Sequence, residues 1–541
     1  MQRKNTDAKN YGKQFFSGVA VLAISTFIVK IIGLFYKIPM MAYLGAEGMG
    51  YFNSAYDIYS LFFVISTTGI PVAISILVAE NKAQGRMKNI RRIYRVSLIA
   101  LGSVGLFGTL AMGIFYEKLA QIINNNNASF CILAISPTLL MICLSSAIRG
   151  YFQGNQSMIP TAVSQVIEAL GKLLLGLGFA IIALNKGYDI SYVAAFAVLG
   201  LTLGVAVSLL FLILYKLAYR IKIENIAISN KSDSNGAILK KLLNIAIPIT
   251  LSSTILSLTK IIDMTMILRR LCDIGYTQGQ ANAIYGSYTT MAVSIYNLPA
   301  TLISAIALPL VPLLVSAIES GDLGKERAVL GSSLKMASLI AFPTGLGIAV
   351  FSEPILKLLF ASQEKEIEYT APLLSLLGLS VFLSAMITIT NAILQAYKQA
   401  KKPIVSMVIG VLVKVIFAFL LIGIPQINIY GAPISTFISS VVIVSINLYF
   451  IIKRAGKIDK VFNLFIKPFL ASFIAVAIGT GLYLLLLEPI SSRLLVLPII
   501  VAVALVYGIL IFKLRAINDD EILMLPKGEK ILKILKKIHL V

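Results

Sequence analysis

Val29-Lys30-Ile31-Ile32 opens a stretch that continues Gly33-Leu34-Phe35-Tyr36-Lys37-Ile38-Pro39, all inside the apolar run from Phe15 to Leu44. A second version, Thr259-Lys260-Ile261-Ile262, follows in the later part of the chain. An ammonium at membrane depth costs a few kcal/mol or more, so such a lysine faces a partner or a water-filled cavity. Its recurrence implies a doubled membrane protein with a charged interior, suited to carrying something anionic. Lys30, Gly33 and Lys37, at i, i+3 and i+7, share one helical face. Thirty helical residues would span about 45 Å, more than the hydrocarbon thickness, so tilt or a break is expected.

Composition agrees. Of 541 residues, 58% are hydrophobic and 13% charged, with a mean hydropathy of +0.89. A soluble chain carries about 25% charge. Repeated apolar runs of about 20 residues define a polytopic helical membrane protein. The stretch from Phe15 is too long for the core of a cleavable signal. Cys131, Cys143 and Cys272 have no metal-site spacing, and the lone His539 stands near the end. No metal or cofactor is expected.

Fourteen spans are read, beginning with 15–44 and 51–78 and ending with 464–487 and 493–512. About 35 of the 47 Lys and Arg residues fall on or beside the connections sharing a side with both termini, against about 7 on the other. Both termini are therefore expected in the cytoplasm of a multi-pass plasma-membrane protein. The net charge of +23 then reflects topology and contact with anionic lipids, and no nucleic-acid partner is expected.

Residues 15–216 align by eye with 242–453. Ser97-Leu98-Ile99-Ala100 matches Ser338-Leu339-Ile340-Ala341, and Pro71 matches Pro309. Gln153, Ser164 and Lys172 match Gln395, Ser406 and Lys414 at one shared offset. Six spans per half make the repeats parallel, an arrangement that places substrate between the halves. The expected layout is a cytoplasmic N-terminus (1–14), a first lobe (15–216), a cytoplasmic linker (217–241), a second lobe (242–453), a final helix pair (464–512) and a basic tail (513–541). In that tail Lys527, Lys530, Lys533, Lys536 and Lys537 alternate with Ile531, Ile534, Leu535 and Ile538, as in an interfacial helix.

Local partners divide the intramembrane charges. Lys260 has Asp263 one turn away, Lys172 has Glu168 at i−4, and Asp57 is placed to pair with Lys37 across the first hairpin. For these, interhelical glue competes evenly with a role in the cavity. Lys30 and Lys414 have no acid within four residues. Lys30 therefore reads as an ammonium completed by a phosphate or carboxylate substrate, ahead of a lysine satisfied by carbonyls or a distant acid. Arg149, before the GxxxG of Gly150 to Gly154, either guides an anionic head group or snorkels; the glycines are a packing motif. Tyr296-Asn297-Leu298-Pro299 is expected to kink the eighth span, and Asn124 to Asn127 to be a solvated loop run. No Walker A, GxSxG or HExxH motif is present in the sequence.

Lys30 to Pro39, Leu44-Gly45, Gly48-Met49-Gly50, Gly69-Ile70-Pro71-Val72-Ala73-Ile74-Ser75, Arg149 to Gly154, Pro160-Thr161-Ala162 and Ser164 to Glu168 together resemble the stage V sporulation protein B branch of oligosaccharide flippases. That branch includes Gram-positive relatives of the lipid II flippase MurJ, in the multidrug/oligosaccharidyl-lipid/polysaccharide exporter superfamily. The resemblance implies an all-α fold of about fourteen transmembrane helices, two parallel six-helix repeats plus two C-terminal helices lining a groove for a polyprenyl tail. It implies a non-enzymatic flippase moving a lipid-linked peptidoglycan precursor from inner to outer leaflet. Lys30 occupies the family's basic position in the first helix. A second family arginine falls at Tyr36, with the charge displaced to Lys37, and the basic position of the eighth helix falls at Ser294. Some relatives hold sodium in the second lobe, where Lys260, Asp263 and Lys414 would stand instead.

The expected substrate-binding set is therefore Lys30, Lys37, Asp57, Arg149 and Lys260; Glu168, Lys172, Asp263 and Lys414 form charge pairs or couple an ion. The expected partners are a lipid-linked oligosaccharide of the undecaprenyl-pyrophosphate type, anionic lipids and peptidoglycan synthases, with the chain a monomer. The competing readings are a cation-coupled drug exporter, which would want unpaired acids in the first lobe, and a non-transporting envelope scaffold. Lys30→Ala is expected to abolish transport, and Lys172→Ala with Glu168→Ala to be milder.

Overall fold

In the computed structural model residues 2–218, 233–399, 401–456, 462–487 and 492–517 are described, and among them there is no strand. The helices are α1 (Gln2–Thr67), α2 (Gly69–Ala83), α3 (Met87–Ile114), α4 (Tyr116–Ile122), α5 (Ser129–Ile135), α6 (Thr138–Gly154), α7 (Ile159–Asn185), α8 (Ile190–Ala218) and α9 (Asn235–Asp273). They continue as α10 (Gln278–Ser287), α11 (Val293–Glu319), α12 (Leu323–Val350), α13 (Ser352–Leu359), α14 (Glu364–Ala396), α15 (Lys401–Ile422), α16 (Gly431–Ala455), α17 (Lys467–Leu487) and α18 (Val496–Lys513). Eleven segments of the described residues are long and apolar enough to cross a membrane. One of them, Ile24–Lys82, has 59 residues, enough for two crossings. The break comes at Gly45, whose φ of 64° and ψ of −178° suit glycine and oppose any side chain. The helices α9 and α10–α11, which carry two further expected spans, are not among the eleven.

The chain divides into two compact units, Met1–Thr290 and Met291–Val541. This division follows packing and falls later than the expected linker at 217–241. Of that linker, 219–232 lie outside the described residues, as do the tail residues 518–541. Helix α9 already starts at Asn235, capped by Ser234, whose side chain accepts the Ala237 N–H.

In the first unit small residues set the helix spacing. A Cβ on Gly150 or Gly154 would meet Pro71, Ile74, Ser75 and Val78, so the GxxxG of α6 packs directly on α2. Gly171 and Gly176 of α7 meet Gly204 and Gly200 of α8 in the same way. The core here joins Ala73, Ile74, Leu77, Ile90, Ala147, Phe152 and, from α9, Ile238, Leu242 and Ala246. A polar clasp fixes the start of α9. Asn89 is fully buried, accepts the Asp233 N–H at 3.0 Å and donates to Asn81 at 2.8 Å, while Lys241 pairs with Asp233 at 2.6 Å. In the second unit Phe351, Ala471, Ala475, Val476, Ile499, Val503 and Tyr507 form a core along α12, α17 and α18.

Turns recur along the chain at fixed separations. Gly85 and Gly321, 236 residues apart, both have positive φ, and their N–H groups bond Lys82 and Ile318 carbonyls, again 236 apart. Gln156 and Lys398, 242 apart, are both non-glycine residues of positive φ, and the N–H groups of Ser157 and Gln399 bond the Phe152 and Leu394 carbonyls. The first turn places Ser97 opposite Ser333, five residues from the sequence pairing with Ser338. The chain leaves α-helical geometry in a π-helical turn at Tyr288–Ala292. Tyr296 to Pro299 lie within continuous α11, so the expected interruption is displaced by several residues.

Candidate functional site: a lysine cluster and a polar ladder

Lys30 stands exposed on α1, among exposed Phe27, Ile28, Ile31 and Phe35. Two turns on, Lys37 is partly buried, and Asp57 lies beyond the Gly45 break on the same long helix. Lys260 of α9, also exposed, acts electrostatically on Lys30, Lys37 and Asp57. Asp57 attracts Lys37 and also senses Asp263. The charges that interact with Lys30 include Lys260 and Lys37, both like charges. Such like charges repel, and an anion placed between two ammonium groups relieves the repulsion.

From this cluster a ladder of hydrogen bonds runs along α1. The Tyr285 hydroxyl of α10 donates to Asp57 Oδ2 at 2.6 Å. One turn away, Asn53 Nδ2 donates to Thr289 Oγ1 at 2.9 Å and to Thr290 Oγ1 at 2.8 Å. Asn125 Nδ2 then bridges Ser54 Oγ at 2.9 Å and Asn282 Oδ1 at 2.6 Å. Asn127 donates to the Tyr51 hydroxyl, which itself donates to Glu47, and Gln278 donates to the Asn124 carbonyl at 3.2 Å. Glycines make the approach possible: a Cβ on Gly50 or Gly286 would collide with the backbone of Asn282 or Ala46. The run Asn124 to Asn127 is thus not merely solvated. Asn125 is fully buried, because its amide is the meeting point of three segments. Asn53, Asn282 and Tyr285 were not singled out in the sequence, where a polar side chain in an apolar run was their only signal, and Asn125 was read only as part of a solvated run.

Arg149 is neither snorkelling nor open to a head group. It is 7% exposed, with Nη2 3.1 Å from Glu168 Oε2 and 3.3 Å from Ser208 Oγ, and Nε 2.9 Å from Ser164 Oγ. Lys172 pairs with the other Glu168 oxygen at 2.9 Å, as its i−4 spacing foretold. A buried guanidinium needs a counter-ion and filled donor sites, and α7 and α8 supply both. The residue 242 after Arg149 is Asn391, and that after Ser164 is Ser406. These two also share a buried network: Ser406 donates to Asn447 at 2.6 Å, and Asn447 donates to Asn391 at 2.8 Å and Thr390 at 3.0 Å. Gly410 stands where Glu168 would fall, four residues before Lys414. No cluster of His, Cys, Asp or Glu among the described residues suits a metal ion.

These features define a multi-pass helical membrane protein with the fold of solute and lipid exporters. A multidrug-resistance MATE family transporter of the MOP superfamily, solved inward-facing, superposes with a TM-score of 0.64 at 17% identity, over 82% of this chain and 99% of the other. A solved structure of the lipid II flippase MurJ in an inward closed conformation gives 0.68 at 17% identity, over 91% and 98%. The chain belongs to the lipid II flippase MurJ family, whose model matches residues 40–506. In Bacillus subtilis (strain 168), stage V sporulation protein B is 28% identical over 95% of this chain and 98% of its own length, and lipid II flippase MurJ is 25% identical over 81% and 82%.

Proposed function

We propose that the chain flips an undecaprenyl-pyrophosphate-linked oligosaccharide, lipid II or a close relative, from the inner to the outer leaflet of the plasma membrane by alternating access. The observation that carries this reading is the exposed Lys30–Lys260 pair with Lys37 beside it. Pyrophosphate offers the charge and the oxygen acceptors that such ammonium groups lack among themselves. Lys30, Lys37, Lys260 and Asp57 form the head-group site. Arg149, Glu168 and Lys172 brace the first lobe. Membership of the MurJ family and the two Bacillus relatives support the substrate class.

The layout proposed with it has fourteen crossings: Ile24–Lys82 supplies two, and α9 and α10–α11 one each beside the other ten segments. The matched turns support two parallel six-helix repeats, 15–216 and 242–453. The basic connections support cytoplasmic termini. A cation-coupled drug exporter is disfavoured, because such a carrier wants carboxylates where this chain presents lysines.

Complementation of a flippase-depleted strain tests the reading. Lys30→Ala is expected to lose at least about tenfold in lipid II reaching the outer leaflet, the effect of one weakened charge-assisted contact. Normal translocation by Lys30→Ala at wild-type expression would sink the site assignment.

A further inference from the structure

Beyond the Gly45 break, four rings share one face of α1: Phe52, Tyr56, Tyr59 and Phe63, at i, i+4, i+7 and i+11. Tyr36, before the break, joins them at 6.1 Å from Phe52, and the row continues at 6.4, 5.8 and 5.7 Å between centroids. Such a row is ordinarily packing, and Phe52 and Tyr59 are buried as packing requires. Tyr56 departs from it. It is 36% exposed, and its ring lies within 9° of parallel to that of Phe52, which braces it.

Opposite this row stands the face of α7 that carries Gln165, Lys172 and Gly176, again at i, i+7 and i+11. A Cβ on Gly176 would lie 3.0 Å from the Tyr36 hydroxyl, which sets this face against α1. In the fourteen-crossing layout α7 and the later part of α1 run in opposite senses. Lys172, one turn before Gly176, therefore stands level with Tyr56, one turn after Phe52. The electrostatic neighbours follow the same pairing, Lys172 with Tyr56 and Glu168 with Tyr59. Lys172 donates to Glu168 at 2.9 Å and keeps 21% of its side chain exposed. An ammonium exposed at membrane depth faces a water-filled cavity, so the open ring beside it faces water rather than lipid.

We infer that Tyr56 is the platform on which the sugar ring next to the pyrophosphate stacks, and the residue by which this chain distinguishes a glycan-bearing lipid from a bare one. The inference takes its ligand from the proposed function and deepens it. A pyranose presents C–H groups on its faces and hydroxyls along its edge. The C–H groups suit the negative face of an aromatic ring, and stacking removes apolar surface of both from water. Lys172 has three donors, of which Glu168 takes one, and the others suit the hydroxyls. Tyr56 directly precedes Asp57 and Tyr36 directly precedes Lys37, so the platform adjoins the head-group residues and meets the first sugar.

Three substitutions in full-length protein, held in phospholipid nanodiscs, test the ring. Tyr56→Phe keeps the aromatic face, Tyr56→Leu keeps an apolar side chain without it, and Tyr56→Trp places a lone fluorophore in a chain that has no tryptophan. The two probes are undecaprenyl pyrophosphate and the same lipid bearing one N-acetylglucosamine. Tyr56→Leu is expected to lose about fivefold in affinity for the sugar-bearing lipid, the worth of one aromatic contact, and to bind the bare lipid as the parent does. Tyr56→Phe should bind both as the parent does, and the emission of Tyr56→Trp should shift with the sugar-bearing lipid alone. Parental affinity of Tyr56→Leu for the sugar-bearing lipid, a loss shared equally by the two lipids, a Tyr56→Phe as weak as Tyr56→Leu, or a tryptophan that responds alike to both lipids overturns the inference and leaves the proposed function standing. If the parent binds neither lipid, or Lys30→Ala binds both equally well, the proposed function falls and the inference with it.

Discussion

Glu168 holds two cations, Arg149 at 3.1 Å and Lys172 at 2.9 Å, from a position 7% exposed. Removing it leaves the guanidinium buried with only serine hydroxyls for company. Glu168→Ala is therefore expected to destabilise the protein by about 3–5 kcal/mol, measured as a loss of folded protein on heating in detergent. Lys172→Ala, whose side chain is 21% exposed, should cost much less. Arg149 is thus a third member of the Glu168–Lys172 set, which sequence spacing alone presents as a pair. Gly45 is sensitive for a different reason. Its φ of 64° with ψ of −178° lies outside the range of L-residues, and no neighbour crowds it. Gly45→Ala should cost about 1–3 kcal/mol in the same assay through backbone strain. Gly33→Ala, helical and uncrowded, should be neutral or slightly stabilising.

At the scale of elements, α9 and α10 are held to the first unit by polar side chains at both ends: the Asn89–Asp233 clasp at one, the Asn125–Asn282 bridge at the other. Asn125→Ala leaves Ser54 and Asn282 short of a buried donor, a cost of about 1–3 kcal/mol to this arrangement. Hydrogen exchange of the α10 amides should accelerate in that variant while α7 and α8, joined through glycines, keep their protection. A uniform acceleration across all these helices would instead place the bridge in global stability. Helices were readable in the sequence because length and hydropathy are local properties. The i−4 pair Glu168–Lys172 was readable for the same reason. The ladder was not: its rungs between helices join residues 71 to 237 apart, and asparagine or threonine in an apolar run carries no label for what it will meet. Arg149 was misread because its position at a helix end said nothing of the serines and glutamate that α7 and α8 would bring to it.

For the molecule as a whole, the turn at Gly85 and Gly321 and that at Gln156 and Lys398 differ in separation, 236 against 242. The later copy therefore carries six more residues somewhere between these two turns. The turns share hydrogen bonds at matched positions, Gly85 to Lys82 with Gly321 to Ile318, and Ser157 to Phe152 with Gln399 to Leu394. Length has thus been free to drift in one interval and fixed at its borders, which gives an engineering map of the chain. A short peptide epitope inserted between Ser362 and Gln363, in the exposed turn before α14, should leave expression and complementation intact. The same epitope after Gln156 or Lys398 should abolish both, since it would break a turn whose hydrogen bonds recur at matched positions in both copies. Western blots of membranes carrying the three insertions would settle which connections accept cargo and which are hinges that tolerate no added length.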